Sequence, residues 1–487
     1  MFNFCNACGC ALSSQAAFCP NCGNPCLLAA SEPSIFVRNR SWMRVRPMVT
    51  ILVAALLSLT GYLGWRSWVA DAVVQSKRDG ALRTSTEAFS KEFAAVFRPL
   101  KIEVEKARVA KSQAEAGNPA AMAELAALGV DAAKMMQAAE AAALNPDEKL
   151  VAGQLAVNLG GFIGDVPMRQ RGAKLMLASG KLDPSKVTEF QFYLGNFAYA
   201  NKDYATASTA LATAVAANYA APEAGELMVD SYARAGQPSR GLALLKLAVA
   251  AKRAAGQPVP EGWLKRANVV AYNANLGAEA IDWALSQVEL YPSNFNWLGS
   301  AQLVRRFANY GPNETIDLFR LMIRSGALDN DPKLVGNEYR EYIQTADPRR
   351  LPGEVIKVID KGTEAGALSG AFVTESRALA AGLVAPDKAS LPSLEAQAAT
   401  SFSGLEALST GDGYLNYGNA AKAEALYKMA LGKRGVDKDR VLTRLGIAQF
   451  DQGNYADARA SFRQVVGVRV PIARLWLTLI STRVRTQ

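Results

Sequence analysis

Small residues return at a nearly fixed interval through the second half of this 487-residue chain, each followed by a larger one. Ala207, Leu211 and Ala214 are matched 34 residues later by Gly241, Leu245 and Ala248, and Ala423 is matched 35 residues later by Ala458. The clearest unit is LGIAQFDQGNYADARASFRQV. Leu445 and Gly446 fall on a first helix, Gly453 and Tyr455 make a turn, and Ala458, Phe462 and Val465 fall on one face of a second helix. The unit before it reads YLNYGNAAKAEALYKMAL, with Gly418 at the turn and Ala423, Tyr427 and Ala430 on the second helix. Leu194 and Gly195 lead to Ala207 and Leu211. Ala280 and Ala284 lead to Pro292, where a proline ends a unit, and Trp297-Leu298-Gly299 opens another pair through Phe319. A small residue lets the two helices of a pair approach, the large residue four positions on fills the groove between pairs, and glycine takes the turn. No such pair can bury its apolar face alone, so the period predicts a stack of helical hairpins.

These residues resemble the tetratricopeptide repeat (TPR) over residues 190–487. The resemblance implies an all-α, TPR-like helical-hairpin solenoid that binds proteins or peptides along a face lined by first helices. Asn196, Arg234, Asn273, Arg305, Arg444 and Gln449 are the polar candidates for that face. Between residues 299 and 405 the pattern degenerates, and loops with Pro348, Pro352, Gly362 and Gly366 imply irregular or Sel1-like helical hairpins. IARLWLTLI reads as a capping helix, with Leu475, Trp476 and Leu479 against the last repeat. Residues 66–189 read as a separate membrane-proximal helical region. Phe89, Phe93 and Phe97 form an i, i+4, i+8 stripe that packs on a neighbouring helix. Pro99 ends that helix, a second runs over Ile102–Glu115, and a third over Ala120–Ala143 stops at Asn145-Pro146.

Ahead of the repeats, the nineteen residues between Arg46 and Arg66 carry no charge. At about 1.5 Å per residue they reach roughly 28 Å, close to the hydrocarbon thickness of a bilayer. Trp42, Tyr62, Trp65 and Trp68 sit at its ends, where amphipathic rings favour the interface. A buried core helix would not be apolar on every face between arginines. A cleaved signal peptide would not follow some 46 residues that hold a folding motif. Residues 47–65 therefore read as a transmembrane helix, and residues 27–46 as a basic juxtamembrane linker. Arg38, Arg40, Arg44 and Arg46 precede the span, which places the N-terminus in the cytosol and the solenoid outside the cytoplasmic (inner) membrane, in the periplasm.

All six cysteines lie in the first 26 residues, and four form two C-x-x-C-G knuckles ten residues apart: Cys5 with Cys8, and Cys19 with Cys22. Two such knuckles aim four thiolates at one point, a tetrahedral set that suits zinc. The segment resembles the short zinc-ribbon module, which implies a structural Zn²⁺ that folds residues 1–26. A disulfide cluster would require export of a segment that precedes the span, and a redox dithiol would use one pair only. Cys10 and Cys26 are surplus, and motif symmetry alone assigns the other four. No Lys, Arg, Asp or Glu occurs from Met1 to Ala30, which argues against nucleic acid and for a structural or protein-docking role.

Little points to catalysis. The chain has no histidine, no phosphate-binding glycine motif and no nucleophile elbow. Gly411-Asp412-Gly413 reads as a loop, and the pair Glu338/Glu341 as a solvated helix face. A net charge of +10 is mild for this length. The expectation is a non-enzymatic, membrane-anchored scaffold or adapter, with proteins and the lipid bilayer as partners and no small-molecule substrate. Two other readings stay open: a metal- or redox-responsive regulator acting through the ribbon, and a component of envelope or polysaccharide export machinery.

Overall fold

The computed structural model describes residues 89–486 together with the strand residues Asn3–Phe4 and Ala11–Leu12. The apolar run 47–65, the linker before it and Cys5, Cys8, Cys19 and Cys22 lie outside the described residues. Among the described residues no helix is long and apolar enough to cross a membrane. Strand β1 (Asn3–Phe4) pairs antiparallel with β2 (Ala11–Leu12), Asn3 opposite Leu12 and Phe4 opposite Ala11. All other regular structure in the described residues is helical, a solenoid-like run of helical hairpins. The helices fall into two compact units divided at Tyr219 and Ala220.

The first unit holds α1 (Lys91–Glu115), α2 (Pro119–Ala142), α3 (Pro146–Ile163), α4 (Val166–Ala178), α5 (Pro184–Ala200) and α6 (Tyr204–Ala216). Pro99 does not break α1, which runs through it for 25 residues. An internal proline costs about 3 kcal/mol. The helix face that spans it buries Phe93, Leu100 and Val104, and each buried side chain of that size returns about 1.5–3 kcal/mol. The phenylalanine stripe closes on itself, with Phe89, Phe93 and Phe97 centroids 5.2–5.4 Å apart, inside a core shared with Met136 and Leu159. Asn145 and Glu148 form a capping box at the start of α3. Glu148 is buried and also accepts from the Ser90 N–H at 2.8 Å, which ties the two helix starts together.

The second unit holds α7 (Ala224–Arg234), α8 (Pro238–Ala254), α9 (Glu261–Asn273), α10 (Gly277–Leu290), α11 (Asn294–Ala308), α12 (Pro312–Ser325), α13 (Pro332–Ala346), α14 (Pro352–Glu364), α15 (Ala371–Thr400), α16 (Leu405–Asn416), α17 (Ala420–Leu431), α18 (Lys438–Asp451), α19 (Tyr455–Arg463) and α20 (Val470–Thr486). The stretch 299–405, expected to hold irregular or Sel1-like helical hairpins, is helical through most of its length. Pro352 begins α14, where its missing N–H costs nothing, and Gly362 lies within it against Leu368 and Tyr339. Only Gly366 of that group takes a positive φ, +71°, at the helix end. The 30-residue α15 contains both Pro386 and Pro392.

A small first-helix residue meets a large second-helix residue 16 positions on. A Cβ added to Gly195 would lie 2.5 Å from Leu211, to Gly411 2.7 Å from Tyr427, and to Gly446 2.7 Å from Phe462. Ala207, Ala423 and Ala458 are fully buried beside those large residues, as is Ala280 in α10. Gly241 lies against Tyr232. Gly418 and Gly453 take φ of +81° and +78° at the two hairpin turns. Gly411-Asp412-Gly413 is therefore not a loop but the middle of α16, because only glycine admits the Tyr427 ring there. In α20, Trp476 stacks on Phe462 at 5.5 Å and meets Phe450 edge-on at 5.1 Å.

Candidate functional site

First helices α7, α9, α11 and α13 are joined by polar contacts between residues 33–36 positions apart. Arg266 reaches Asp230 at 3.5 Å, Asn296 donates to Glu261 at 3.1 Å, and Gln302 donates to Glu338 at 2.9 Å. Arg305 bridges Glu338 and Glu341, at 3.1 and 2.7 Å. The period of the repeat thus places one polar side chain beside the next, and the ladder fixes the register of neighbouring hairpins. The pair Glu338/Glu341 is not a solvated face. Glu338 is buried under Arg305, and burial, opposed by Arg305 and helped by the Glu338 charge, pushes the Glu341 carboxyl above its usual range.

Beside this ladder lies a cleft of about 480 Å³, bounded by Tyr310, Thr315, Glu341, Gln344, Asp347 and Arg350. Its lining combines hydroxyl, amide, carboxylate and guanidinium groups, a set able to hydrogen-bond a peptide. Asp347 holds a non-glycine φ of +58° at its rim, a strained backbone of the kind that structure elsewhere must hold in place.

The corresponding face of the last two repeats is closed. Residues 441–450 of α18 are buried without interruption, as are residues 315–322 of α12. Asp317, fully buried, accepts from Arg320 at 3.1 Å, Arg444 at 3.1 Å and Arg469 at 2.6 Å. Arg320 forks onto Glu354 at 2.9 and 2.7 Å, and Tyr342 donates to the same carboxylate at 2.7 Å. Arg444 also pairs with Asp412, which holds Arg440 at 3.2 Å and the Tyr427 hydroxyl at 2.8 Å. Arg469 reaches Glu314 at 2.7 Å, and Arg324 forks onto Asp451 at 2.5 and 2.6 Å. Burial works against the charge on Asp317, but Arg444, Arg469 and Arg320 outweigh it and hold its carboxyl below the usual range. Glu354 is likewise lowered, with burial overcome chiefly by Arg320.

The six polar candidates therefore divide. Arg234 and Asn273 are exposed, Arg234 paired with Asp230 at 2.5 Å, while Arg305 is half-buried in the ladder and Asn196 half-buried in the first unit. Arg444 and Gln449 do not line an open groove. Arg444 is spent on Asp317 and Asp412, and Gln449 on Ser461 at 2.7 Å and Glu424 at 3.2 Å. Asp317, Arg320, Glu354 and Arg469 were not among the sequence candidates: Asp317 meets Arg444 and Arg469 across 127 and 152 residues, which leaves no periodic trace, whereas Arg320 and Glu354 stand 34 residues apart, at the repeat spacing.

No family model matches the chain. No curated protein matches it either. Among solved structures it is similar to a chain of the complex titled "Structure of Naa15/Naa10 bound to HypK-THB", at 13% identity and a TM-score of 0.30 over 78% of this chain. The chain spans 63% of that protein's length.

Proposed function

We propose that this chain is a membrane-anchored scaffold that binds other proteins through the first helices of its second unit. The ladder over α7, α9, α11 and α13, with the polar cleft beside Glu341 and Arg350, carries the reading. It presents a repeating row of fixed polar groups, a surface suited to an extended or helical peptide rather than to a compact small molecule. No catalytic role is assigned to any residue.

The anchor is the uncharged run 47–65, and the positions of the arginines before it support a cytosolic N-terminus with the hairpin stack outside the inner membrane. For the ribbon, the pairing of Asn3–Phe4 with Ala11–Leu12 leaves six residues to connect the strands, and both Cys5 and Cys8 lie in that connection. A strand, a C-x-x-C connection and a returning strand suit a zinc knuckle, with Cys5, Cys8, Cys19 and Cys22 as the thiolate set. Zinc there would supply folding energy and no chemistry.

In-cell crosslinking of the unaltered chain, followed by capture from solubilised membranes, should return a reproducible partner. Gln344→Ala with Arg350→Glu should lose it. An unchanged partner set in that variant, or no reproducible partner at all, refutes the scaffold reading.

A further inference from the structure

The face that α16 and α18 would offer a partner is already filled by a segment of the same chain. Helix α12 carries Glu314, Asp317, Arg320 and Arg324 along one stripe and Ile316, Phe319 and Met322 on another. The apolar stripe belongs to the hairpin core, where Phe319 stacks on Tyr342 at 5.0 Å. The charged stripe meets Asp412 and Arg440 only through Arg444, and meets Arg444, Asp451 and Arg469 directly, across 127 to 155 residues of chain.

We infer that the first-helix face of the last two repeats is a helix-binding groove held shut in cis by α12, and that it accepts a partner helix presenting two carboxylates one turn apart followed by arginines. The inference rests on the scaffold reading and adds a second binding surface to it. Three observations support a contact able to part. Apart from Leu321, buried in the middle of the α12 stripe, the facing side chains named here are charged, so most of each surface tolerates water once separated, unlike the Gly446–Phe462 contact inside a hairpin. A buried ion network contributes little net stability compared with an apolar contact of the same size. The Nε atoms of Arg440 and Arg469 are buried without a hydrogen-bond partner, a penalty that hydration relieves in the open form. Specificity comes from the charge order. Carboxylates of the incoming helix face Arg444 and Arg469, and its arginines face Asp451 and the carboxylates behind it.

The test weakens the rim and leaves the buried centre intact. Arg324→Gln on α12 removes the cation that pairs with Asp451 and leaves Asp451 in the groove to receive an arginine of the incoming helix, and Arg474→Gln removes the 2.7 Å bridge to Asp282 that holds α20 to α10. The probe is a labelled peptide with the sequence of residues 312–325, PNETIDLFRLMIRS, added to the full chain. The double variant should bind it on the order of tenfold more tightly than the unaltered chain, and amide exchange in 312–325 should quicken by a similar factor. The same peptide carrying Glu314→Lys and Asp317→Lys should not bind. Should the double variant fold poorly, the unaltered chain in about 1 M salt serves instead, where faster exchange confined to 312–325 and 438–451 is expected. Failure of the double variant to bind the peptide, or exchange in 312–325 that occurs only together with α13 and α14, overturns the inference. A partner still captured through Gln344 and Arg350 would then leave the scaffold reading standing alone.

Discussion

Gly446→Ala and Gly382→Ala make the same chemical change inside a helix, yet they should move stability in different directions. Alanine is favoured over glycine in a helix interior by about 0.5–1 kcal/mol at either place. Around Gly382 nothing lies within 4 Å of the added methyl, so Gly382→Ala should stabilise by about that amount. At Gly446 the methyl would fall 2.7 Å from Phe462 Cζ and 2.8 Å from two more ring carbons. It meets the tip of the ring, and stacking of Phe462 on Trp476 at an interplanar angle of 10° opposes the tilt that would relieve it. Overpacking of this kind costs about 1–3 kcal/mol. Helix preference is common to both variants and cancels, so the difference between them isolates the packing cost. Urea midpoints by circular dichroism, with amide exchange over 438–463, measure it. Gly446→Ala placed on a Phe462→Leu background should lose most of its penalty. Equal effects at the two glycines, or no rescue by the shorter side chain, would refute the idea that the small–large pair sets the approach of α18 to α19.

Asp317→Asn keeps the shape but removes the charge shared by Arg320, Arg444 and Arg469; stranding those cations should cost about 3–5 kcal/mol, read as a lower urea midpoint, and a loss under 1 kcal/mol would contradict the pairing. Asp317 and Glu354 both have lowered carboxyl pKa values in the fold, from ordinary values of 3.8 and 4.5, so their contribution is complete above those values and is lost as pH falls below them. Stability followed from pH 6 to pH 3 should therefore drop on the acid side, and Asp317→Asn should flatten that drop. Purified full chain should carry about one zinc per molecule by elemental analysis, and replacing Cys5, Cys8, Cys19 or Cys22 by serine should release it. A periplasm-dependent reporter fused after Gln487 should be active, whereas activity only of a cytosol-dependent one would remove the anchor reading.

The hairpin stack was legible because its constraint is local. Gly446 and Phe462 sit 16 residues apart in one pair of helices, and the same spacing recurs at Gly195 with Leu211. Elements were misjudged where a residue's usual habit was read without its packing. Gly411 and Gly413 look like a turn until Tyr427 is seen to need the space, and Pro99 looks like a stop until the buried face of α1 is weighed against it. The charged centre was illegible for a different reason. Arg444 and Asp317 are 127 residues apart, and each looks like an ordinary surface residue on an amphipathic helix. The one trace available was the spacing of Glu314, Asp317, Arg320 and Arg324, which puts four charges on one side of α12. Such a stripe reads as a solvated face unless something charged is known to cover it.

That covering changes how the second unit should behave as a physical object. A stack of hairpins in which each touches only its neighbours frays from its ends, because terminal repeats lack one interface. Here the last elements also touch α10 and α12, through Arg474 with Asp282, Arg469 with Glu314 and Arg324 with Asp451. While those contacts hold, α18 should exchange its amides only through opening of the larger unit, although it lies in the last hairpin. Once they part, α16 to α20 become an ordinary chain end, and α18 should exchange faster than α13. The ratio of the two exchange rates therefore reports the state of the closure directly. A ratio insensitive to salt, to acid and to loss of Asp451 would mean that the charges serve register alone, with no second state for a partner to select.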